Sequence, residues 1–288
     1  MINFLHHYSP RSIIFSVGGL DIHWYGLLMV LGGLLGLFLA WYLARYFKIN
    51  RPWLFDLAFW WAIFGLIGGR IYYVIYAFDF YKDNPLDIFK IWQGGLAVHG
   101  VMIGAFCATF FFARAKGINW LKLFDLSAIG LVTAQIVGRW GNYFNQELFG
   151  RPTDLAWGIP ILPINRPVEY IAEQFFHPTF LYESLLNIVL LGILLILVWL
   201  RFGKNIEIKN GIIFFSYILG YSIIRFNMEF LRLDYSPVVF GVRWAQLFSG
   251  LLILASIFFI VFCSIRKGKR TQIKKKIEKK INLIKTEL

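Results

Sequence analysis

Charge is scarce in this sequence. Of 288 residues, 16 % are Asp, Glu, Lys or Arg, against about 25 % in a soluble globular domain. Acids are the rarer sign, 16 against 29 Lys and Arg. The two cysteines, Cys107 and Cys263, each lie inside an apolar stretch. They read as small buried hydrophobes and offer neither a disulfide pair nor a thiolate metal site. No D-x-x-D cluster and no His/Cys/Asp set with ligand spacing occurs. The sequence therefore predicts no metal and no cofactor, and argues against magnesium-dependent chemistry on a lipid diphosphate. The first 23 residues lack a charged start followed by an apolar run, so no cleavable signal peptide is expected. There is no internal repeat, which weakens an inverted-repeat transporter.

What is abundant is apolar length. Hydrophobic residues make up 58 % of the chain and fall in seven long runs, 24–44, 54–76, 96–113, 122–141, 180–200, 211–230 and 245–265. Each is close to the roughly 20 residues needed to cross a hydrocarbon core. The expectation is an all-α membrane protein with seven transmembrane helices, a membrane domain over residues 1–265. A loop-rich cap over 142–179 carries Pro152, Pro160, Pro163, Pro167 and Pro178, with short strands around Trp157 to Ile164. The segment from Ala77 to Gln93 alternates charge with aromatics and suits a membrane surface.

The net charge of +13 could point to nucleic acid, but its placement points to topology. One set of joints holds Arg45, Lys48, Arg51, Arg114, Lys116, Lys122, Arg201, Lys204, Lys209 and the basic tail 266–288. The other holds only Arg11, Lys82, Lys90, Arg151, Arg166, Arg232 and Arg243. By the positive-inside rule the N-terminus is outside and the tail cytoplasmic, resting on anionic membrane lipid rather than on nucleic acid.

With that topology, the polar residues of six helices fall at the outer level. They are Tyr25, Arg70, His99, Arg139 with Asn142, Tyr182 with Glu183, and Arg225 with Glu229 and Arg232. A charge in the membrane needs a partner or a purpose. Arg139 and Asn142 share a helix face, as do Arg225, Glu229 and Arg232. Bland readings stand beside the functional ones. Arg225–Glu229 could be an internal salt bridge, Tyr25 a membrane-belt anchor beside Trp24, His177 an interfacial histidine, and Arg70 a structural tie. Arginines at headgroup depth suit a phosphate, whose oxygens match the guanidinium fork. Asn142, Asn145 and Glu147 suit hydroxyls, so a phospholipid headgroup such as phosphatidylglycerol fits the set. A transporter would be expected to carry charge through both halves of the bundle, whereas the inner half holds little beyond Asp56 and Asp125.

The stretch Gly138-Arg139-Trp140-Gly141-Asn142-Tyr143-Phe144-Asn145-Gln146-Glu147-Leu148-Phe149-Gly150 resembles the G-R-x-x-N-x-x-N-x-E signature of the phosphatidylglycerol–prolipoprotein diacylglyceryl transferases. Trp24-Tyr25-Gly26, the Gly94–Gly100 segment, His177-Pro178-Thr179-Phe180-Leu181-Tyr182-Glu183 and Arg225-Phe226-Asn227-Met228-Glu229-Phe230-Leu231-Arg232 are similar to that family's other blocks, in order. The resemblance covers the chain from Tyr25 to Gln246. It implies transfer of the diacylglyceryl group of phosphatidylglycerol to the lipobox cysteine of a prolipoprotein signal peptide, forming a thioether and releasing glycerol phosphate. The setting would be the bacterial inner membrane, with the active site at the outer leaflet. It also implies functional roles for Tyr25, His99, Arg139, Asn142, Glu147, Arg225 and Glu229, and Gly150 matches the glycine that closes the signature. A thiol with a pKa of about 8.5 needs help to ionise, so His99 is the candidate base, with Tyr25 the alternative. Arg139 and Arg225 would stabilise the leaving phosphate.

Overall fold

The computed structural model describes residues 2–287, with side chains from 5 to 265. The basic tail expected at 266–288 lies outside the described side chains. The helices are α1 (Ile2–His7), α2 (Trp24–Leu43), α3 (Trp53–Tyr76), α4 (Phe78–Tyr81), α5 (Val98–Ala115), α6 (Trp120–Phe144), α7 (Thr179–Phe202), α8 (Ile212–Met228) and α9 (Trp244–Glu287). Among the described residues, six helices are long and apolar enough to cross a membrane: α2, α3, α5, α6, α7 and the Trp244–Ile265 part of α9. The remaining apolar helix, α8, has 17 residues. That is shorter than the run read from the sequence, because the chain turns at Glu229.

Three two-stranded antiparallel ribbons accompany the helices, and only the one that includes Ile159–Pro160 falls where short strands were expected. They are β1 (Ile13–Val17) with β2 (Leu20–His23), β3 (Ile159–Pro160) with β4 (Phe175–Phe176), and β5 (Val238–Val239) with β6 (Val242–Arg243). The first has a visible cause in the alternation Ile13, Phe15, Val17 followed by Gly18-Gly19, both with positive φ. Two glycines in the left-handed region make the tight turn that suits a twisted hairpin. The helix ends are equally local. After α5 the chain passes through Gly117 at φ 65, and Ile118 N–H donates back to Ala113 O at 2.9 Å, satisfying a carbonyl the helix would leave open.

The chain forms two compact units, residues 31–134 and residues 1–30 with 135–288. In the first, α3 and α5 meet along small residues. A Cβ added at Gly68 would lie 3.2 Å from Gly104 Cα, so the backbones approach to a distance that only glycine permits. At the end of α3, the Arg70 guanidinium donates to backbone carbonyls of Ile88 (2.7 Å), Asp87 (2.6 Å), Gly94 (2.7 Å) and Gly95 (3.1 Å). It folds the 3₁₀ turns Pro85–Phe89 and Ile91–Gln93 around itself. Of the two readings of Arg70, this geometry is the structural one. Phe78, Leu86, Phe89 and Trp92 on that segment are exposed.

In the second unit, α7 is tied to α6 by Ser184 Oγ donating to Ile136 O at 2.9 Å. Phe215 of α8 stacks on Phe259 of α9 at 3.9 Å between ring centroids. The cap has its own small core of Leu5, Phe149, Ile159, Ile161 and Phe176, continued into Tyr143 and Phe180. Gln146 is buried beneath it, donating to Pro10 O and accepting from Leu162 N–H. Arg166 donates to Ile161 O and Ile171 O, which fixes the proline-rich loop between β3 and β4.

Candidate functional site

The polar groups of the second unit gather where α6 ends, α7 begins and α8 ends. Arg139 occupies the last turns of α6 and its Nη2 lies 2.5 Å from Glu183 Oε2 near the start of α7. The same guanidinium reaches Tyr221 Oη of α8 at 3.3 Å and Asn142 Oδ1 at 3.4 Å. Asn142 passes the contact on, its Nδ2 donating to Glu147 Oε1 at 2.8 Å. The i, i+3 spacing read from the sequence thus becomes a chain running Arg139, Asn142, Glu147.

Glu229 is bracketed. Arg225 Nη1 lies 2.7 Å from its Oε2, and Arg243 Nε lies 3.0 Å from its Oε1. The Glu229 side chain is 0 % exposed. Arg243 also donates to the carbonyls of Glu229, Arg232 and Asp234, tying β6 to the end of α8. Arg232 completes the ring, with Nη1 at 3.4 Å from Glu183 Oε1 and Nε at 2.7 Å from Asp234 Oδ1. Glu183 is therefore shared by Arg139 of α6 and Arg232 of the segment after α8.

Contact distance and hydrogen-bond alignment differ in this cluster. Glu183 Oε2, both Glu229 carboxylate oxygens and Arg225 Nη1 are buried without an aligned hydrogen bond among the described residues. The pairs are close enough to compensate charge, yet Arg225 Nη1 is not spent on an aligned hydrogen bond. Buried charges are costly to leave in that state. A guanidinium held in place by a carboxylate that does not saturate its donors keeps capacity for a further anion. Arg139, Arg225, Arg232 and Arg243 face Glu183, Glu229 and Asp234, so positive charge is in excess within the ring itself. Glu147, exposed at its edge, lies beyond it.

The backbone around the ring is tightly seated. Tyr25, in the first turn of α2, lays its ring on Gly141, where an added Cβ would come within 2.8 Å of Tyr25 Cδ2. Gly150 donates to His177 O at 2.9 Å, and a Cβ there would be 2.8 Å from His177 Cβ and 3.0 Å from Thr179 Cγ2. The signature glycine thus joins the cap to the start of α7. His177 Nδ1 lies 3.2 Å from Tyr182 Oη, which also accepts from Trp157 Nε1 at 2.8 Å. Partial burial holds the His177 pKa below the ordinary histidine value.

Of the residues singled out from sequence, Tyr25, Arg139, Asn142, Glu147, Gly150, Arg225 and Glu229 fall in this unit. His99 lies in the other, exposed in the first turn of α5 with its ring 5.8 Å from that of Tyr72. Sequence reasoning about the site did not assign Glu183, Tyr221 or Arg243. Glu183 carried a signal, as the last residue of the His177–Glu183 block and one of the polar residues at the outer level, but was given no role. Arg243 carried none, since a lone arginine in a joint reads as a topology charge.

Comparison with known proteins gives a consistent result. A sequence model of the family described as prolipoprotein diacylglyceryl transferase matches residues 12–262. The phosphatidylglycerol–prolipoprotein diacylglyceryl transferase of Acaryochloris marina is 42 % identical over 241 residues, spanning 84 % of this chain and 86 % of the relative. Enzymes of the same name from Synechococcus elongatus and Staphylococcus aureus are each 40 % identical over 88 % of this chain, and over 88 % and 89 % of their own lengths.

Proposed function

The chain belongs to the prolipoprotein diacylglyceryl transferase family, and we propose that it catalyses the transfer that gives the family its name, at the arginine–glutamate ring. It moves the diacylglyceryl group of phosphatidylglycerol onto a prolipoprotein cysteine, the first step of lipoprotein maturation. The observation that carries this reading is the ring itself. Two guanidiniums, Arg139 and Arg225, are held by buried Glu183 and Glu229, and Arg225 Nη1 makes no aligned hydrogen bond among the described residues.

In the proposed topology all seven apolar helices span the bacterial inner membrane, the short α8 among them. Residues 1–265 are the membrane domain, 142–179 form a periplasmic cap, and 266–288 lie in the cytoplasm. The ring then sits at the outer leaflet, at headgroup depth. Lipid and signal peptide both reside in the membrane and enter laterally between helices.

The chemistry follows from the parts. The lipobox thiol loses its proton, with His99 the favoured acceptor and Tyr25 the alternative. The thiolate attacks the glyceryl carbon that bears the phosphodiester oxygen. A C–S bond forms, the C–O bond breaks, and the electron pair leaves on the phosphate of glycerol phosphate. Negative charge grows on that phosphate, where preorganised cations stabilise it most. Arg139 and Arg225 supply the stabilisation, and Glu183 and Glu229 hold them in orientation. Asn142 and Glu147 bind hydroxyls of the headgroup glycerol, and Gly150 shapes the wall beside them.

The test is release of glycerol phosphate from phosphatidylglycerol by the purified protein, with a lipobox peptide either free or alkylated at its cysteine. Release that requires the free thiol supports the transfer. Equal release with the alkylated peptide would make the protein a lipid hydrolase instead.

A further inference from the structure

The β1–β2 hairpin has two unlike faces. Its register pairs Phe15 with Ile22, Val17 with Leu20, and Ser16 with Asp21. Side chains alternate across a strand, so Phe15, Val17, Leu20 and Ile22 share one face. Ser16 and Asp21 lie on the other, where Ser16 Oγ donates to Asp21 Oδ1 at 2.5 Å. The four apolar residues are all exposed, Val17 to 63 % and Leu20 to 73 %. The tip is open as well, since a Cβ added at Gly18 or Gly19 would meet no atom of the described residues within 4 Å.

An isolated two-stranded ribbon is at best marginally stable in water. A contiguous apolar face on a surface signals that something covers it. Two features indicate what does. First, β2 ends at His23 and α2 starts at Trp24 with no intervening residue. Trp24 N–H donates to Ser12 O at 2.9 Å, so the hairpin is braced against the start of the helix. Second, α2 is a membrane-spanning candidate whose nearby Leu27 and Val30 are exposed in the same way. The exposed face of the hairpin is thus continuous along the chain with a helix long and apolar enough to cross a membrane. Trp24 and Tyr25 at the junction are the residue types that mark the membrane–water boundary. Trp24 is held in place by stacking on Phe144 at 4.7 Å between ring centroids.

We propose that the hairpin is a membrane-inserted element. Its Phe15/Val17/Leu20/Ile22 face lies in the lipid interface beside the start of α2, and its Ser16/Asp21 face is turned to water. It anchors the segment that carries Tyr25 rather than acting as a free flap. The inference is independent of which leaflet receives the hairpin and of the reaction catalysed.

The test is a nitroxide scan of the full-length protein in phosphatidylglycerol-containing nanodiscs, in a Cys107→Ala, Cys263→Ala background that retains transferase activity. Single cysteines are placed at Val17 and Leu20, at Ser16 and His23, and at Val30 in α2. Collision rates are measured with oxygen, which concentrates in lipid, and with a nickel chelate, which stays in water. The expected result is an alternation: oxygen dominates at 17 and 20, the nickel chelate at 16 and 23, before and after addition of a lipobox peptide. Val30 serves as the lipid reference; a water-like signal there would refute the membrane span itself, a different failure. Nickel access on both faces would overturn the proposal. So would protection of 17 and 20 that appears only with peptide, which would make the face a peptide-docking edge. Dipolar broadening between labels would make it a contact between copies and would overturn it as well.

Discussion

Glu183 links two arginines from different segments, with Arg139 at 2.5 Å on one carboxylate oxygen and Arg232 at 3.4 Å on the other. Its side chain is 2 % exposed, so solvent cannot replace either partner. Glu183 is therefore the joint at which α6, the start of α7 and the segment after α8 are fixed to one another.

Replacing Glu183 by Gln keeps the volume and removes the charge. Removing one partner of a buried pair costs about 3–5 kcal/mol, and two guanidiniums lose compensation here. The expected outcome is a lowered unfolding midpoint in detergent together with a fall in kcat. An unchanged midpoint would show that the ring is not held by this carboxylate.

Arg139→Lys and Arg225→Lys keep the charge and lose the fork. Loss of a preorganised donor at a developing anion costs about 10²–10³ in rate, and lysine does not reproduce bidentate recognition. Each variant should lose kcat on that scale at saturating lipid and equal membrane abundance. Arg166→Lys should keep its kcat and lose only cap stability, because Arg166 binds loop carbonyls. Full activity in both ring variants would return the arginines to a purely structural role.

His99→Gln should cost more rate near pH 6.5 than near pH 8.5. If His99 accepts the thiol proton, high pH supplies thiolate without it, since a free thiol has a pKa of about 8.5. Equal losses at both values would assign His99 to positioning and pass the proton to another group.

His177 gives a stability effect of opposite origin. Burial favours its neutral form and lowers its pKa. Stability is therefore fully present above the unfolded value of about 6.5, and is lost as pH falls through the lower folded value. The unfolding midpoint should drop on acidification through this range, and His177→Gln should flatten that slope. A slope that persists in the variant would place the titrating group elsewhere.

Much of the ring was legible in sequence because it is written along single helices. The i, i+3 and i, i+4 spacings put Arg139 beside Asn142 and Arg225 beside Glu229, and those contacts are present. The internal salt bridge weighed against a functional role for Arg225 exists, and it leaves Arg225 Nη1 without an aligned hydrogen bond. What was not legible is tertiary. The choice of Glu183 as the partner of Arg139, and the reach of Arg243 from β6 to Glu229, depend on how segments distant in sequence meet. Arg70 could not be decided from spacing, because its partners are backbone carbonyls and carry no sequence signature. The hairpin was missed because its alternation is short and lies directly against a membrane helix.

The central claim concerns one bond, between a cysteine sulfur and a glyceryl carbon. Its most direct measurement is mass spectrometry of a lipobox peptide after incubation with the purified protein and phosphatidylglycerol, with and without neutral hydroxylamine. The account predicts a diacylglyceryl adduct on the cysteine that survives hydroxylamine, as a thioether does, and that is strongly reduced in Arg139→Lys. A hydroxylamine-labile acyl adduct, or an unmodified cysteine with active lipid turnover, would contradict it.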